Sequence, residues 1–552
     1  MMADPSYRRA AGIVLAVLIL HLVLIQPNHP AAFGWAAIRF LPHELPLILI
    51  ALATLPRRIR PALRLAITAF LIVMAAIKLA DLAAQLAYQR NFNAVFDFHL
   101  LPAGRELAIG AIGRPATLTV ILAAVVLFAA LAAALWWATG RIASLAPPRA
   151  AALLLIPAAA LATPGLPGPD LPGEPFTLRL AIEHARAGQL ARRNLADLRA
   201  EAATDPYAAL PPAALLPALQ GHDVLILFAE SYGPTALDNP RYTPTIHATL
   251  AEAEAALAAA GLTIRSAFLD SPVIGGQSWL AHATLLSGLE IDTQGRYRAL
   301  IASPRTTLIG LAARAGWHTA AVMPAITRDW PEAEYFGYDT ILARDGLGYR
   351  GLPFNWVTMP DQFTLVSFER RLLDPAPRPN VFAEIALISS HAPWTPIPPH
   401  LPWDALGDGS IFDPYATAGD PPAVVWRDQD RVRDQYRQAL AYTLATALDF
   451  TARRAQGGAA PLVLLVGDHQ PSAFVNEGHG DMSVPVHLIG PPELLARVSP
   501  WSWSDGLLPA NDAPVWPMQA LRDRFLIAFG PPPCGDASRE TPAQPLPARS
   551  SC

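Results

Sequence analysis

Two patterns of apolar and polar positions divide this chain. Up to about residue 166, long apolar runs alternate with short loops carrying arginine, and beyond about residue 220 short apolar runs alternate with amphipathic stretches. The first pattern predicts five membrane spans, over 10–25, 33–55, 65–86, 115–139 and 150–166, each near the ~20 residues that a bilayer core requires. The first run follows Arg8 and Arg9 and lacks a small-residue cleavage site, so it reads as an anchor rather than a cleaved leader. The second contains Arg39, His43 and Glu44, and the third contains Lys78 and Asp81 at i,i+3, a spacing that predicts mutual neutralisation. Eight arginines (Arg8, Arg9, Arg57, Arg58, Arg60, Arg64, Arg141, Arg149) fall on one side and three (Arg90, Arg105, Arg114) on the other. That asymmetry places the N-terminus in the cytoplasm, and five spans then deliver the remainder outside. The second span decides this parity.

A Pro/Gly linker at 163–175 precedes an amphipathic helix at 176–203 that carries Arg179, Arg186, Arg192 and Arg193. Such a helix either lies along the membrane or packs on a domain, and packing is the preferred reading. The second pattern follows. Strands are predicted at 224–228, 263–268, 318–323, 381–388, 461–466 and 484–489. Helices are predicted at 245–261, 306–315, 359–373, 430–453 and 515–529. This alternation over some three hundred residues predicts an α/β fold, a doubly wound α/β domain behind an N-terminal transmembrane bundle. The expected organisation is transmembrane helices over 1–166, a linker and juxtamembrane helix over 167–219, the α/β domain over 220–530 and a disordered tail over 531–552. The stretch 402–425, rich in Gly, Pro and Asp, reads as a surface insertion or a lid.

Composition narrows the partners. The chain has 552 residues, 52% of them hydrophobic and only 16% charged, which is too apolar for an ordinary soluble enzyme. A net charge of −4, with no basic stripe outside the membrane-flanking loops, argues against a nucleic-acid partner. Lys78 is the sole lysine, and both cysteines, Cys534 and Cys552, lie in the tail. A cysteine-based metal or catalytic site is therefore not expected.

The chemistry gathers around 273–288. Gly275 and Gly276 allow a tight turn and close approach of a ligand, and Ser278 opens a helical run. A hydroxyl there either caps the helix or, with its pKa lowered, attacks an electrophile that the helix N-terminus helps to hold. Three other predicted strand ends carry reactive side chains: Glu230, His391 in Ser389-Ser390-His391, and the pair Asp468-His469. His479 and Asp481 follow closely. Oxygen and imidazole ligands of this kind suit a divalent metal, Mn, Mg or Zn. Each residue alone has an ordinary alternative as a turn or loop side chain. Their joint occurrence at the carboxyl ends of strands is where α/β sheets keep their sites.

The order strand–Glu230, Gly-Gly-x-Ser278, Ser-His391, Gly-Asp468-His469, Gly-His479 resembles the alkaline phosphatase/sulfatase superfamily. The likeness is in particular to its membrane-anchored lipoteichoic-acid-synthase-like and phosphoethanolamine-transferase-like enzymes, which also carry five membrane spans ahead of an extracytoplasmic catalytic domain. The resemblance implies that Glu230, Asp468 and His469 hold the metal together with the Ser278 oxygen, and that Ser278 is the nucleophile where relatives usually have Thr. It implies that His391 touches the transferred phosphate, that His479 serves a second metal, and that Trp330 lines a headgroup pocket. Two departures stand against that pocket. Met323 replaces an expected histidine, and the arginine expected after the Trp is missing, with Arg328 as its possible substitute. The activity implied is transfer of phosphoglycerol or phosphoethanolamine from a phospholipid donor to an extracytoplasmic glycan or lipid acceptor, through phospho-serine, at the cytoplasmic (inner) membrane with the catalytic domain on the periplasmic side. A hydrolase releasing product to water uses the same site, and a membrane protein whose domain has lost catalysis is the non-enzymatic reading. Formylglycine sulfatase chemistry is not expected, since Ser278-Trp-Leu-Ala-His282 lacks the Pro and Arg of that motif. A serine α/β-hydrolase would need a glycine where Leu280 stands.

Overall fold

The computed structural model describes residues 5–34, 40–94, 96–164, 173–457, 460–478 and 480–531. The chain separates into two compact units, Met1–Asn194 and Leu195–Cys552. The cysteines and the tail beyond residue 531 lie outside the described residues.

Among the described residues of the first unit, three helices are long and apolar enough to cross a membrane: Ser6–Leu24, Arg60–Tyr88 and Arg114–Ala143. At 1.5 Å per residue the second of these reaches about 43 Å, more than a bilayer core of about 30 Å. Leu122 and Leu127 on the third are 64% and 67% exposed, as side chains facing lipid would be. Two of the five expected spans are not long helices. Residues 35–39 of the run 33–55 and 165–166 of the run 150–166 lie outside the described residues. The described part of the run 33–55 contains the helix Glu44–Thr54, 11 residues or about 16 Å. The run 150–166 yields the 3-10 stretch Arg149–Leu154 and the helix Leu155–Ala162. Prolines set these limits: Pro42 and Pro56 flank the first, while Pro147 and Pro148 precede the second. Ahead of the first, strand β1 (Leu41–Pro42) pairs in parallel with β2 (Gly173–Glu174).

Lys78 and Asp81 do not neutralise each other. Lys78 Nζ donates to the carbonyls of Val23 and Leu24 and to Thr177 Oγ1, at 3.2, 2.7 and 2.9 Å. Asp81 accepts from Asn28 Nδ2 and the Phe92 amide and meets His184 Nε2 at 3.0 Å. Side chains three apart on a helix share a face, but the first charge takes the free carbonyls at the end of the helix Pro5–Leu24 and the second takes donors from elsewhere. The predicted amphipathic helix is Phe176–Ala202, and its Thr177 and His184 supply two of these contacts.

The second unit is built on a nine-stranded sheet. Its strands are β3 (Val224–Ala229), β4 (Thr263–Asp270), β5 (His318–Met323), β6 (Thr340–Ala343), β7 (Val381–Leu387), β8 (Leu462–Gly467), β9 (Ser483–Gly490), β10 (Ser504–Asp505) and β11 (Val515–Pro517). They run in the order β10-β4-β9-β8-β3-β7-β5-β6, with β11 beside β4. The five strands from β8 to β6 are mutually parallel, and β3 is buried along its whole length. Burial on both faces explains why β3 and β8 read as unbroken apolar runs. The sheet is mixed rather than all parallel, because β9 runs antiparallel to both β8 and β4. The described residues of the connection from β8 to β9 form no helix, the element that usually carries a parallel crossover. The helix expected over 515–529 starts only at Ala520, and the residues before it join the sheet edge as β11. Apolar layers cover both faces. One includes the long helix Gln429–Gln456, whose Val432, Tyr436, Leu440, Leu444 and Leu448 are buried as its periodicity predicts.

One buried carboxylate fixes the segment after β7. Asp361 opens the helix Asp361–Phe368, and its Oδ1 accepts from the amides of Ile388 and Ser389 at 2.7 and 3.0 Å. Its Oδ2 accepts from Thr443 Oγ1 at 2.7 Å, and burial pushes the carboxyl up to about 6. Replacing it strands three buried donors, so Asp361→Ala is expected to cost roughly 2–4 kcal/mol. Thermal unfolding of the detergent-solubilised protein measures this, and Arg186→Ala, at an exposed position, should leave the midpoint unchanged.

Candidate metal centre and nucleophile

Parallel register assembles the site. Ala229 at the end of β3 lies opposite Leu387 of β7 and Gly467 of β8, so Glu230, Ile388 and Asp468 emerge side by side at the carboxyl edge. The chain then turns sharply at Ser231, whose φ of 58° is left-handed. A Cβ on Gly467 would meet the Tyr232 carbonyl oxygen at 2.0 Å, so only glycine allows the two strand ends to come this close. The Ser231 amide donates to Asp468 Oδ1 at 2.8 Å, and its hydroxyl donates to Glu230 Oε1 at 2.9 Å.

The nucleophile candidate arrives on a separate element. Gly275 and Gly276 have φ of 73° and 145°, and Gln277 has φ of 68°. The Gly275 amide donates to the Gln470 carbonyl at 2.8 Å, which ties this turn to the segment after β8. Ser278 is then the first residue of the helix Ser278–Ser287, which Gly288 ends in a left-handed conformation. Ser278 is not the N-cap, since that position belongs to Gln277. Its Oγ donates to Glu230 Oε2 at 3.0 Å and lies 3.3 Å from His469 Nε2.

Glu230, Asp468 and His469 each offer a ligand atom, all within 4.8 Å of one another and all buried. His469 Nε2 is 3.3 Å from Glu230 Oε1 and 3.7 Å from Asp468 Oδ2. Its Nδ1 meets the Gln470 carbonyl at 2.8 Å, which places the Nδ1 proton there and turns Nε2 inward. Burial pushes Asp468 up to about 7, helped by the Glu230 carboxylate. Burial raises Glu230 too, but the imidazoles of His391 and His469 outweigh it and hold this carboxyl below the usual range. For His469 burial favours the neutral ring, yet Asp468 and Glu230 override it and raise the imidazole to about 9. The imidazolium proton thus compensates a cluster rich in negative charge. A divalent cation fits the same donors and would displace that proton.

The structure places the remaining candidates less tightly. His391 follows β7, where its ring stacks on Trp356 at 3.8 Å between centroids. Its charge acts on Glu230. Trp330 and Arg328 lie in the loop after β5, two strands from β3. Trp330 packs against Phe336 and Tyr338, each at 6.0 Å, and Arg328 is exposed. His479 lies outside the described residues. Sequence reasoning passed over Ser231, Ser271 and Ser390. Ser271 Oγ donates to the Asp468 carbonyl and Ser390 Oγ to the Glu230 carbonyl, both at 2.6 Å. The one available signal was their adjacency to strand ends.

Metal binding requires His469 and Asp468 to be deprotonated, and their raised values of about 9 and about 7 mean that binding near neutral pH expels protons. Affinity for Mn²⁺ should rise by about tenfold per pH unit between pH 7 and 9. Calorimetry in buffers of different ionisation heat should register the released proton, and Asp468→Asn should abolish binding.

No family model and no curated protein matches the chain. Solved structures similar to it include the lipoteichoic acid synthase LtaP from Listeria monocytogenes, at 13% identity over 61% of this chain and 80% of that one, TM-score 0.37. The C-terminal periplasmic domain of EcEptC from Escherichia coli, in complex with Zn, matches at 14% identity over 56% and 83%, TM-score 0.38. The soluble domain of lipooligosaccharide phosphoethanolamine transferase A from Neisseria meningitidis matches at 10% identity over 56% and 87%, TM-score 0.36. With TM-scores below 0.5 these are likenesses only, and the chemistry of this chain rests on its own residues.

Proposed function

We propose that the chain is a membrane-anchored, metal-dependent phosphotransferase of the alkaline phosphatase/sulfatase type. It moves phosphoglycerol or phosphoethanolamine from a phospholipid to an extracytoplasmic glycan or lipid through a phospho-Ser278 intermediate. One observation carries the reading: a hydroxyl at the head of a helix, 3.0 Å from Glu230 and 3.3 Å from His469, inside a buried cluster of metal-ligand type.

Glu230, Asp468 and His469 would hold the cation, of Mn, Mg or Zn type, with the Ser278 oxygen beside them. When bound, the cation stabilises negative charge on oxygen at this place. Glu230 Oε2 already holds the Ser278 hydroxyl by its proton, which aims the oxygen lone pairs away from the carboxylate. In the first half, a bond forms between Ser278 Oγ and the donor phosphorus. The phosphorus–oxygen bond to diacylglycerol breaks, and diacylglycerol departs as its alcohol, taking up one proton for the one that Ser278 gives up. In the second half, an acceptor hydroxyl attacks the same phosphorus, the Oγ–P bond breaks, and Ser278 is restored as a hydroxyl, gaining one proton for the one that the acceptor loses. The helix N-terminus and the His391 imidazole favour negative charge on the remaining oxygens. Trp330 and Arg328 are the proposed wall of the headgroup pocket, and His479 the proposed ligand of a second cation.

The membrane-type helices support a lipid donor, because they tether the domain to the bilayer that contains such lipids. The arginines support five crossings, with the short apolar helices Glu44–Thr54 and 149–162 completing the two that are not long. Five crossings collect eight flanking arginines on the cytoplasmic side. Three would put Arg57 and Arg58 opposite Arg8 and Arg9. The N-terminus is then cytoplasmic and residues 220–530 extracytoplasmic. A reporter fused to the C-terminus should be active outside the cytoplasm, and a cytoplasmic signal would overturn the topology.

The activity is tested with the purified protein, Mn²⁺ and radiolabelled phosphatidylglycerol or phosphatidylethanolamine. The expected result is diacylglycerol release, lowered by roughly a thousandfold or more in Ser278→Ala. Label accumulating in free glycerol phosphate or phosphoethanolamine would mark a hydrolase. Absence of diacylglycerol release from both lipids would sink the transferase.

A further inference from the structure

The helix that begins at Ser278 carries a histidine with no part in the metal cluster. His282 is one turn further on, so its side chain shares a face with Ser278 and leans back towards the helix N-terminus. Its ring stacks on Phe228 of β3, with 3.7 Å between centroids and 12° between planes. Its Nδ1 meets Glu384 Oε1 at 2.7 Å. Glu384 sits in the middle of β7 and is only 1% exposed. It lies opposite Ile226 and therefore points into the apolar layer formed by Ile226, Phe228 and Phe382. Its second oxygen, Oε2, accepts from the Tyr338 hydroxyl. Burial, with Glu384 beside it, pushes the Tyr338 hydroxyl well up, so it remains a donor.

A carboxylate in an apolar layer is costly, and packing alone does not call for one. Here it holds the imidazole by Nδ1 and leaves Nε2 free to act, an arrangement that recurs where a histidine must be aimed. Strand order gives the direction of the aim. The ring lies over β3, which has β7 on one side and β8 on the other. Nδ1 faces β7, and the two ring nitrogens point to roughly opposite sides of the ring. Nε2 therefore faces β8 and its carboxyl edge, where Asp468 and His469 begin. The imidazole is enclosed except for 13% of its side-chain surface.

We propose that His282 donates from Nε2 to a nonbridging oxygen of the phosphoryl group held at Ser278, with Glu384 and Tyr338 as its positioning residues. The inference rests on the phosphotransferase reading. With a phosphoryl oxygen on one side and Glu384 on the other, both ring nitrogens donate, and the imidazolium is shared between two anions.

The test uses the full chain in detergent, saturated with Mn²⁺ and titrated calorimetrically with inorganic phosphate. His282→Leu fills the volume without a donor, whereas His282→Gln keeps one near the place of Nε2. The Leu variant should bind phosphate at least about tenfold more weakly than wild type, and the Gln variant within about threefold. Mn²⁺ affinity should be unchanged in both. Glu384→Ala should weaken phosphate as His282→Leu does, and Glu384→Gln should recover part of it, because its amide oxygen still accepts from Nδ1. Equal phosphate affinity in His282→Leu and wild type overturns the proposal. So does a loss of Mn²⁺ affinity or of folding in both His282 variants, which would assign the ring to architecture. Wild type that binds Mn²⁺ but neither binds phosphate nor releases diacylglycerol defeats the phosphotransferase reading itself. Wild type that releases diacylglycerol while His282→Leu binds phosphate normally defeats only the inference about His282.

Discussion

Two carboxylates buried side by side at the carboxyl edge of a sheet repel each other, and the surrounding groups offset that repulsion. Asp468 Oδ1 receives the amides of Ser231 and His469, at 2.8 and 2.7 Å. Glu230 receives the hydroxyls of Ser231 and Ser278. His469 completes the compensation by carrying a proton well above the usual imidazole range. Charges this enclosed are tolerated only with partners. The placement of Ser278 is therefore part of the same electrostatic solution and no separate feature of its helix. A hydroxyl that donates to this buried carboxylate is also one whose oxygen would lie beside a cation held by the same carboxylate.

The register of three central strands makes the convergence possible. Because β8, β3 and β7 are parallel and in step, their ends deliver side chains to one line. The turns beyond them then bend towards each other, which requires Gly467 to have no side chain and the Gly275 amide to reach the Gln470 carbonyl. The same strand order spaces the side chains: Asp468 and His469 follow β8, Glu230 follows β3, His391 follows β7, and Trp330 with Arg328 lies in the loop after β5.

The first unit solves a related problem in a different medium. Lys78 and Asp81 sit on a helix otherwise fit for lipid, and each is neutralised through carbonyl, hydroxyl, amide or imidazole groups from distant residues. Local spacing suggested that they pair. It failed because side chains in a helical bundle choose among all neighbours, and the end of a helix offers carbonyls that nothing within that helix can satisfy. The short helices Glu44–Thr54 and Leu155–Ala162 carry the same lesson. Hydropathy records that a stretch is apolar, while proline decides how much of it is helix.

What the amino-acid order determined by itself is local or periodic. Continuous apolar runs marked β3, β5, β7, β8 and β9, and a 3.6-residue period marked the buried face of Gln429–Gln456. Glu230, Asp468, His469 and Ser278 stood out because reactive residue types followed such runs directly. The tertiary structure alone decided which of them meet. It reversed β9, turned Val515–Pro517 into a strand, and put a glutamate from the middle of β7 against a histidine 102 residues earlier. Those outcomes depend on strand order and on which buried charge finds which donor. Both are energies summed over contacts distant in the chain, and no window of sequence contains them.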